Sequence, residues 1–234
     1  MSKFERPRHR LVQRALGTLD AGFLARARCY FGGGTRIVMA LGEYRESADI
    51  DLLCADREGY RALRSQVTDR SLGAIAAADI ALAREVIADR YGIRTVLDVA
   101  GEKLKFEIIL EGRIALSGAG NRDLRVPALD PVSCFAEKFL ANADRWNDES
   151  FRARDVIDLA FMIARWETRA AIEGHRIAQG AYGQAVNRSL KRAVAKMREQ
   201  GDYRRKCVAA LAVSDTRGLN AGLKLLAAQR WRAA

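Results

Sequence analysis

The sequence predicts an α+β fold: a small mixed β-sheet core flanked by helices, then a helical C-terminal region. Three stretches carry this reading. Asp49-Ile50-Asp51-Leu52-Leu53 alternates polar and apolar residues as a half-buried strand does. Arg94–Ala100 and Lys103–Leu110 are two strand-like runs separated by a glycine, the pattern of a hairpin. From Asp130 onward the apolar period changes from two to 3.6, with Val132, Phe135, Ala136, Phe139, Leu140 and Ala143 on one stripe. That change of period sets a domain boundary: 1–128 forms the core with an N-terminal helix, and 129–234 a helical, basic domain.

Taken in order, residues 10–28 read as a short helix with Leu11, Ala15, Leu19 and Phe23 on one face, leading into a strand at Cys29–Phe31. The run Gly32-Gly33-Gly34 lets a backbone approach an anion closely, and a helix over Thr35–Leu41 would turn its free N–H groups toward the same anion. After the 49–54 strand come a polar helix at Arg57–Val67 and a second helix at Ala77–Tyr91. The hairpin follows, with Gly101-Glu102 expected as a type II′ turn because glycine stands first. Asp130 and Pro131 read as N-cap and first residue of the next helix, and Asp148–Trp166 as another. In the latter, Val156, Leu159, Ala160 and Ile163 face the core while Asp155, Asp158 and Met162 gather on the opposite flank. Lys138, Asn142 and Arg145 likewise stand off the stripe of their own helix. Gly174, Gly180, Gly183, Gly201 and Gly218 would divide the remainder into three or four helices.

Successive strand residues point to opposite faces, so Asp49 and Asp51 project together while Ile50 and Leu52 pack beneath. Paired carboxylates suit Mg2+, a hard cation that shares its oxygen ligands with substrate phosphates. A carboxylate pair beside a phosphate cradle suggests nucleotidyl transfer.

Composition sets the bounds. The chain has 234 residues, 49% apolar and 29% charged, with three prolines, which excludes a disordered or collagenous chain. No apolar run approaches the roughly 18 residues of a membrane span, and 1–14 lacks the apolar core of a signal peptide, so a cytoplasmic protein is expected. Cys29, Cys54, Cys134 and Cys207 are scattered, with neither zinc spacing nor a disulfide framework. The net charge of +11 is concentrated: residues 150–234 hold 17 Lys and Arg against 7 Asp and Glu. Lys191, Arg192, Lys196, Arg198, Arg204, Arg205 and Lys206 form a dense cationic tract, the footprint of a polyanionic partner such as RNA. Tyr182, Tyr203 and Trp231 could stack on bases, although aromatics at helical spacing are more often core.

The run Phe31–Thr35 followed by Leu41-Gly42-Glu43-Tyr44-Arg45-Glu46-Ser47-Ala48-Asp49-Ile50-Asp51-Leu52 resembles the first motif of polymerase-beta-like nucleotidyltransferases, and more narrowly the AbiEii toxin type. Lys138 and Arg154-Asp155-Val156-Ile157-Asp158-Leu159 resemble later motifs of that subgroup. The resemblance spans residues 29–163. It implies transfer of a nucleoside monophosphate from an NTP to an acceptor hydroxyl. Two Mg2+ ions would be held by Asp49, Asp51 and a third carboxylate from a neighbouring strand, with Glu107 the candidate and Asp98 the fallback. Gly33, Gly34 and Thr35 would hold the triphosphate, Lys138 would neutralise it, and Arg45 would brace the loop or contact phosphate. Asp155 would activate the acceptor or orient Lys138, with Asp158 structural. The resemblance further implies an RNA acceptor, the end of tRNA, and a cognate antitoxin protein. Two alternatives stand beside this: a nucleotidyltransferase of small, aminoglycoside-like molecules, and a noncatalytic RNA-binding protein that retains the fold.

Overall fold

A computed structural model describes residues 3–229 and Trp231. The chain divides into two units, one formed by Met1–Met39 and Ser47–Asp130, the other by Ala40–Glu46 and Pro131–Ala234.

The first unit begins with α1 (Pro7–Leu16) and α2 (Ala21–Arg26), two helices where one was expected. They are separate because Asp20 caps the second, its carboxylate accepting from the Phe23 N–H at 2.7 Å. Next come β1 (Cys29–Phe31), α3 (Gly33–Ala40), β2 (Ile50–Cys54) and α4 (Arg57–Arg64). They are followed by β3 (Ala81–Ala88), β4 (Gly92–Val99), β5 (Glu102–Leu110), β6 (Gly118–Asn121) and β7 (Val126–Leu129). The seven strands form one mixed sheet in the order β3-β4-β5-β2-β1-β7-β6, in which β2 runs parallel to β5 and β1 parallel to β7. Ile50, Leu52, Phe106 and Ile108 bury one face of this sheet in a core shared with Val12, Ala15 and Leu16 of α1.

Two expectations are corrected here. The helix expected over Ala77–Tyr91 is instead strand β3, paired antiparallel with β4. Alanine, leucine, glutamate and arginine favour helix locally, and pairing with a neighbouring strand overrides that preference. The reversal is fixed by Asp89, whose Oδ1 accepts from the N–H groups of Tyr91 and Gly92. In the β4–β5 turn, Val99 pairs with Glu102, so the loop residues are Ala100 and Gly101, with φ of 56° and 84°. Two left-handed residues make a type I′ turn, not the expected II′. Strands β6 and β7 were not foreseen: Gly-Ala-Gly-Asn offers no apolar alternation to read.

The second unit comprises α5 (Pro131–Arg145), α6 (Arg154–Arg165), α7 (Thr168–Tyr182), α8 (Ala185–Glu199), α9 (Gly201–Ala210) and α10 (Thr216–Ala228). The helix expected from Asp148 starts only at Arg154, after a 3-10 turn at Glu149–Phe151 and two left-handed residues, Arg152 and Ala153. Gly174, Gly180 and Gly218 lie inside helices instead of between them. At Gly174 a Cβ would sit 2.5 Å from that of Phe135, so the missing side chain is what lets α7 close on α5.

Candidate active site

Two clusters of sequence-predicted residues are built, one in each unit. In the first unit, β2 and β5 run parallel with Asp51 directly opposite Glu107. Opposed residues on neighbouring strands share a face and lie about 4.8 Å apart along the hydrogen-bonding direction, so the two carboxylates stand side by side. Both alternate with Ile50, Leu52, Phe106 and Ile108 and therefore point away from the core. Asp49 lies one residue before β2 and is partly buried. Asp98, the alternative third carboxylate, pairs with Lys103 at the far end of the hairpin, four residues from the Arg94–Glu107 pair, a rise of about 13 Å. Its Oδ1 accepts from the Gly101 N–H at 2.9 Å and so serves the turn.

The glycine run meets this face. Gly32 donates its N–H to the Asp51 carbonyl at 2.8 Å, and Gly33 opens α3 with φ of 65°. A Cβ on Gly33 would lie 2.2 Å from Oδ2 of Asp51, so the carboxylate rests directly on the Gly33 backbone. Only glycine satisfies both that contact and that φ. Gly33→Ala is accordingly expected to cost about 1–3 kcal/mol in strain and to displace the Asp51 carboxylate. Chemical denaturation checks the first and a nucleotide-incorporation rate the second. Gly34 follows, partly buried, and the Thr35 side chain, 1% exposed, hydrogen-bonds the Ser47 hydroxyl at 2.8 Å. That contact ties the start of α3 to the segment entering β2.

Glu107 has cationic neighbours that the sequence reading missed. Its Oε2 lies 3.0 Å from Lys105 and its Oε1 3.7 Å from Arg94. The signal was present, since Lys105 stands two residues away on the same strand face and Arg94 is its hairpin partner. Among the described residues, no three His, Cys, Asp or Glu side chains are gathered into a finished metal cluster. Asp49, Asp51 and Glu107 nonetheless fit Mg2+ in donor chemistry, being all carboxylates, and Asp51 is seated on the Gly33 backbone.

The second unit holds the motif residues Arg45, Lys138, Asp155 and Asp158. The polar flank of α6, which an amphipathic reading places in solvent, is buried: Asp155 is 4% exposed and Asp158 0%. Arg45 grips Asp158 with two bonds, Nε to Oδ1 at 2.7 Å and Nη2 to Oδ2 at 2.8 Å, and Tyr44 donates its hydroxyl to Oδ1 at 2.6 Å. The Lys138 ammonium stands between both acids, 2.8 Å from Asp155 Oδ1 and 2.9 Å from Asp158 Oδ2. Arg145 completes the group with a two-bond contact to Asp155. Burial alone would raise both acids, yet Lys138 and Arg145 beside Asp155, and Arg45 and Lys138 beside Asp158, hold both below the ordinary carboxylate value. Tyr44 stacks on Phe161 with ring centroids 3.8 Å apart, and this fixes the 40–46 loop on α6.

Of the cationic tract, Lys191, Arg192, Arg198 and Lys206 are exposed. Lys196 lies over the Tyr203 ring at 4.3 Å and pairs with Glu149. Trp231 packs against Phe139 and is core, 6% exposed. The four cysteines are buried thiols, none of them in a disulfide. No helix among the described residues is long and apolar enough to cross a membrane.

The family model for the nucleotidyl transferase AbiEii toxin of type IV toxin–antitoxin systems matches residues 15–214. A crystal structure of a "putative nucleotidyltransferase from H. pylori" is similar over 96% of this chain and 93% of that one, with a TM-score of 0.54 and 16% identity. This likeness supports the fold alone. No curated protein sequence matches.

Proposed function

Because this chain belongs to the AbiEii nucleotidyl transferase toxin family of type IV toxin–antitoxin systems, we propose that it transfers a nucleoside monophosphate from an NTP to a hydroxyl of RNA. A cognate antitoxin is its proposed protein partner. The acceptor oxygen attacks the α-phosphorus, the bond from that phosphorus to the bridging oxygen of the β-phosphate breaks, and pyrophosphate leaves. The observation that supports this reading is the seat of the Asp51 carboxylate on the Gly33 backbone, which brings the glycine run and a carboxylate to one point.

In this reading the backbone N–H groups of Gly33 and Gly34 hold phosphate oxygens with charge-assisted bonds. Thr35, through Ser47, keeps the nest in register with β2. Asp49, Asp51 and Glu107 are the residues that would hold Mg2+. When bound, the ion supplies a Lewis-acid charge for the acceptor oxygen and the departing pyrophosphate. Lys105 and Arg94 hold the Glu107 carboxylate in place. In the second unit, Arg45 braces the 40–46 loop and Asp155 orients Lys138, which is the structural option of the two that the motif left open for each. The exposed cations of α8 and α9 are proposed to attract the RNA backbone.

The test is incubation with labelled nucleoside triphosphates, Mg2+, total RNA and a mixture of small hydroxylated acceptors. Label on RNA is expected. Label only on a small acceptor would replace RNA by the small-molecule reading, and RNA retention without any label would leave a binding protein.

A further inference from the structure

A cleft lined by arginines lies on the other side of the sheet. Residues Val12, Ala15 and Leu16 of α1 join the core with Ile50, Leu52, Phe106 and Ile108, the face opposite to Asp51 and Glu107. The outer side of α1 and the β6–β7 turn form an open cleft of about 460 Å³, lined by Pro7, Arg10, Leu11, Gln13, Arg14 and Arg125. From these residues we infer a binding site for phosphate oxyanions.

The cleft is held in shape from both sides. Gln13 of α1 donates to the Asp123 carbonyl at 2.7 Å, and Lys3 pairs with the Asp123 carboxylate at 2.7 Å, which occupies the acid of that turn. Asn121 closes the turn through its side chain, accepting from the N–H groups of Asp123 and Leu124. Arg125 then takes a left-handed backbone with φ of 63°, a conformation that favours glycine, and lays its stem beside Gly17 at the end of α1. Arg10 and Arg14 are four apart on one helix face, a like-charge spacing that repels unless an anion lies between. Arg10 is anchored to the carbonyls of Phe4 and Glu5, whereas the guanidinium groups of Arg14 and Arg125 make no hydrogen bond among the described residues. Guanidinium forks suit the paired oxygens of phosphate. The phosphate could come from a polynucleotide backbone or from a free polyphosphate, and the experiment separates the two.

The full-length chain, without nucleotide, is titrated with a fluorescein-labelled single-stranded oligoribonucleotide across a salt series, and separately with inorganic tripolyphosphate by calorimetry. The variant is Arg14→Gln/Arg125→Gly, chosen because glycine relieves the left-handed backbone at 125 and so favours folding. Arg61→Gln/Arg64→Gln, on exposed positions of α4, removes the same charge elsewhere in the unit. The cleft variant is expected to lose about tenfold in oligoribonucleotide affinity and about 1.4 in the slope of log K against log salt, at roughly 0.7 per phosphate contact on a single strand. The control is expected to change affinity by less than about threefold. Loss of oligoribonucleotide binding alone identifies a backbone phosphate; parallel loss of tripolyphosphate identifies a compact phosphate ligand. Equal losses in the two double variants, or none in the cleft variant for either probe, would overturn the assignment.

Discussion

Asp51→Asn is expected to lower nucleotide incorporation by at least about 100-fold, comparable to removing one preorganised charge-stabilising group from an active site. Asparagine keeps the shape that rests on Gly33 and the backbone bond from Gly32 to the residue 51 carbonyl, so the fold should be unchanged. What is lost is the negative charge at the junction of the glycine nest and the β2–β5 carboxylate pair. RNA retention should be untouched, because no basic group is altered. Asp98→Asn is the paired control. Its Oδ1 accepts a hydrogen bond in the β4–β5 turn, asparagine can make the same bond, and incorporation should stay within about twofold. Normal labelling by the Asp51→Asn protein would remove the carboxylate face as the centre of the chemistry. Equal losses in both variants would point to a disturbed sheet.

How much of this could be read in advance depended on how far apart in the chain the determinants lay. The β2 strand and the β4–β5 hairpin were legible because alternation is a local signal, and the parallel β2–β5 pairing then set Asp51 against Glu107 through ordinary strand geometry. The segment 77–91 was not legible, since its alanines and charged residues favour helix until an adjacent strand offers paired backbone groups. Strand β6 had no apolar residue larger than alanine to betray it. The glycine run was legible as a place of close backbone approach, but its seat on Asp51 depends on the left-handed backbone at Gly33, which no composition displays. The motif residues of the second unit were found, yet their burial was not: a helical wheel puts Asp155 and Asp158 opposite the core of α6. Arg45 reaches Asp158 across 113 positions, and such distant contacts turn an apparent surface flank into an interior ion cluster.

That cluster sets the largest expected effect on stability. Removing one partner of a buried, hydrogen-bonded ion pair leaves uncompensated charge, so Asp158→Ala is expected to cost about 3–5 kcal/mol. This is a large fraction of the roughly 5–15 kcal/mol that holds a typical domain. The variant strands the Arg45 guanidinium, 2% exposed, and deprives Tyr44 of its acceptor, while Lys138 keeps Asp155. A lower urea midpoint with an unchanged slope would report it. Arg45→Met/Asp158→Leu should recover much of the loss, because the repulsive element is the stranded charge and not the missing attraction. Acid offers an independent reading. Both acids are held below the ordinary value of about 3.9, so their contribution is whole above that value and is lost as pH falls through the lower folded values. Wild-type stability should therefore fall steeply below about pH 4. In Asp158→Asn, whose side chain cannot titrate, the fall should be shallower, and an unchanged acid slope would show that Asp158 is not coupled to Arg45 and Lys138 as the geometry requires.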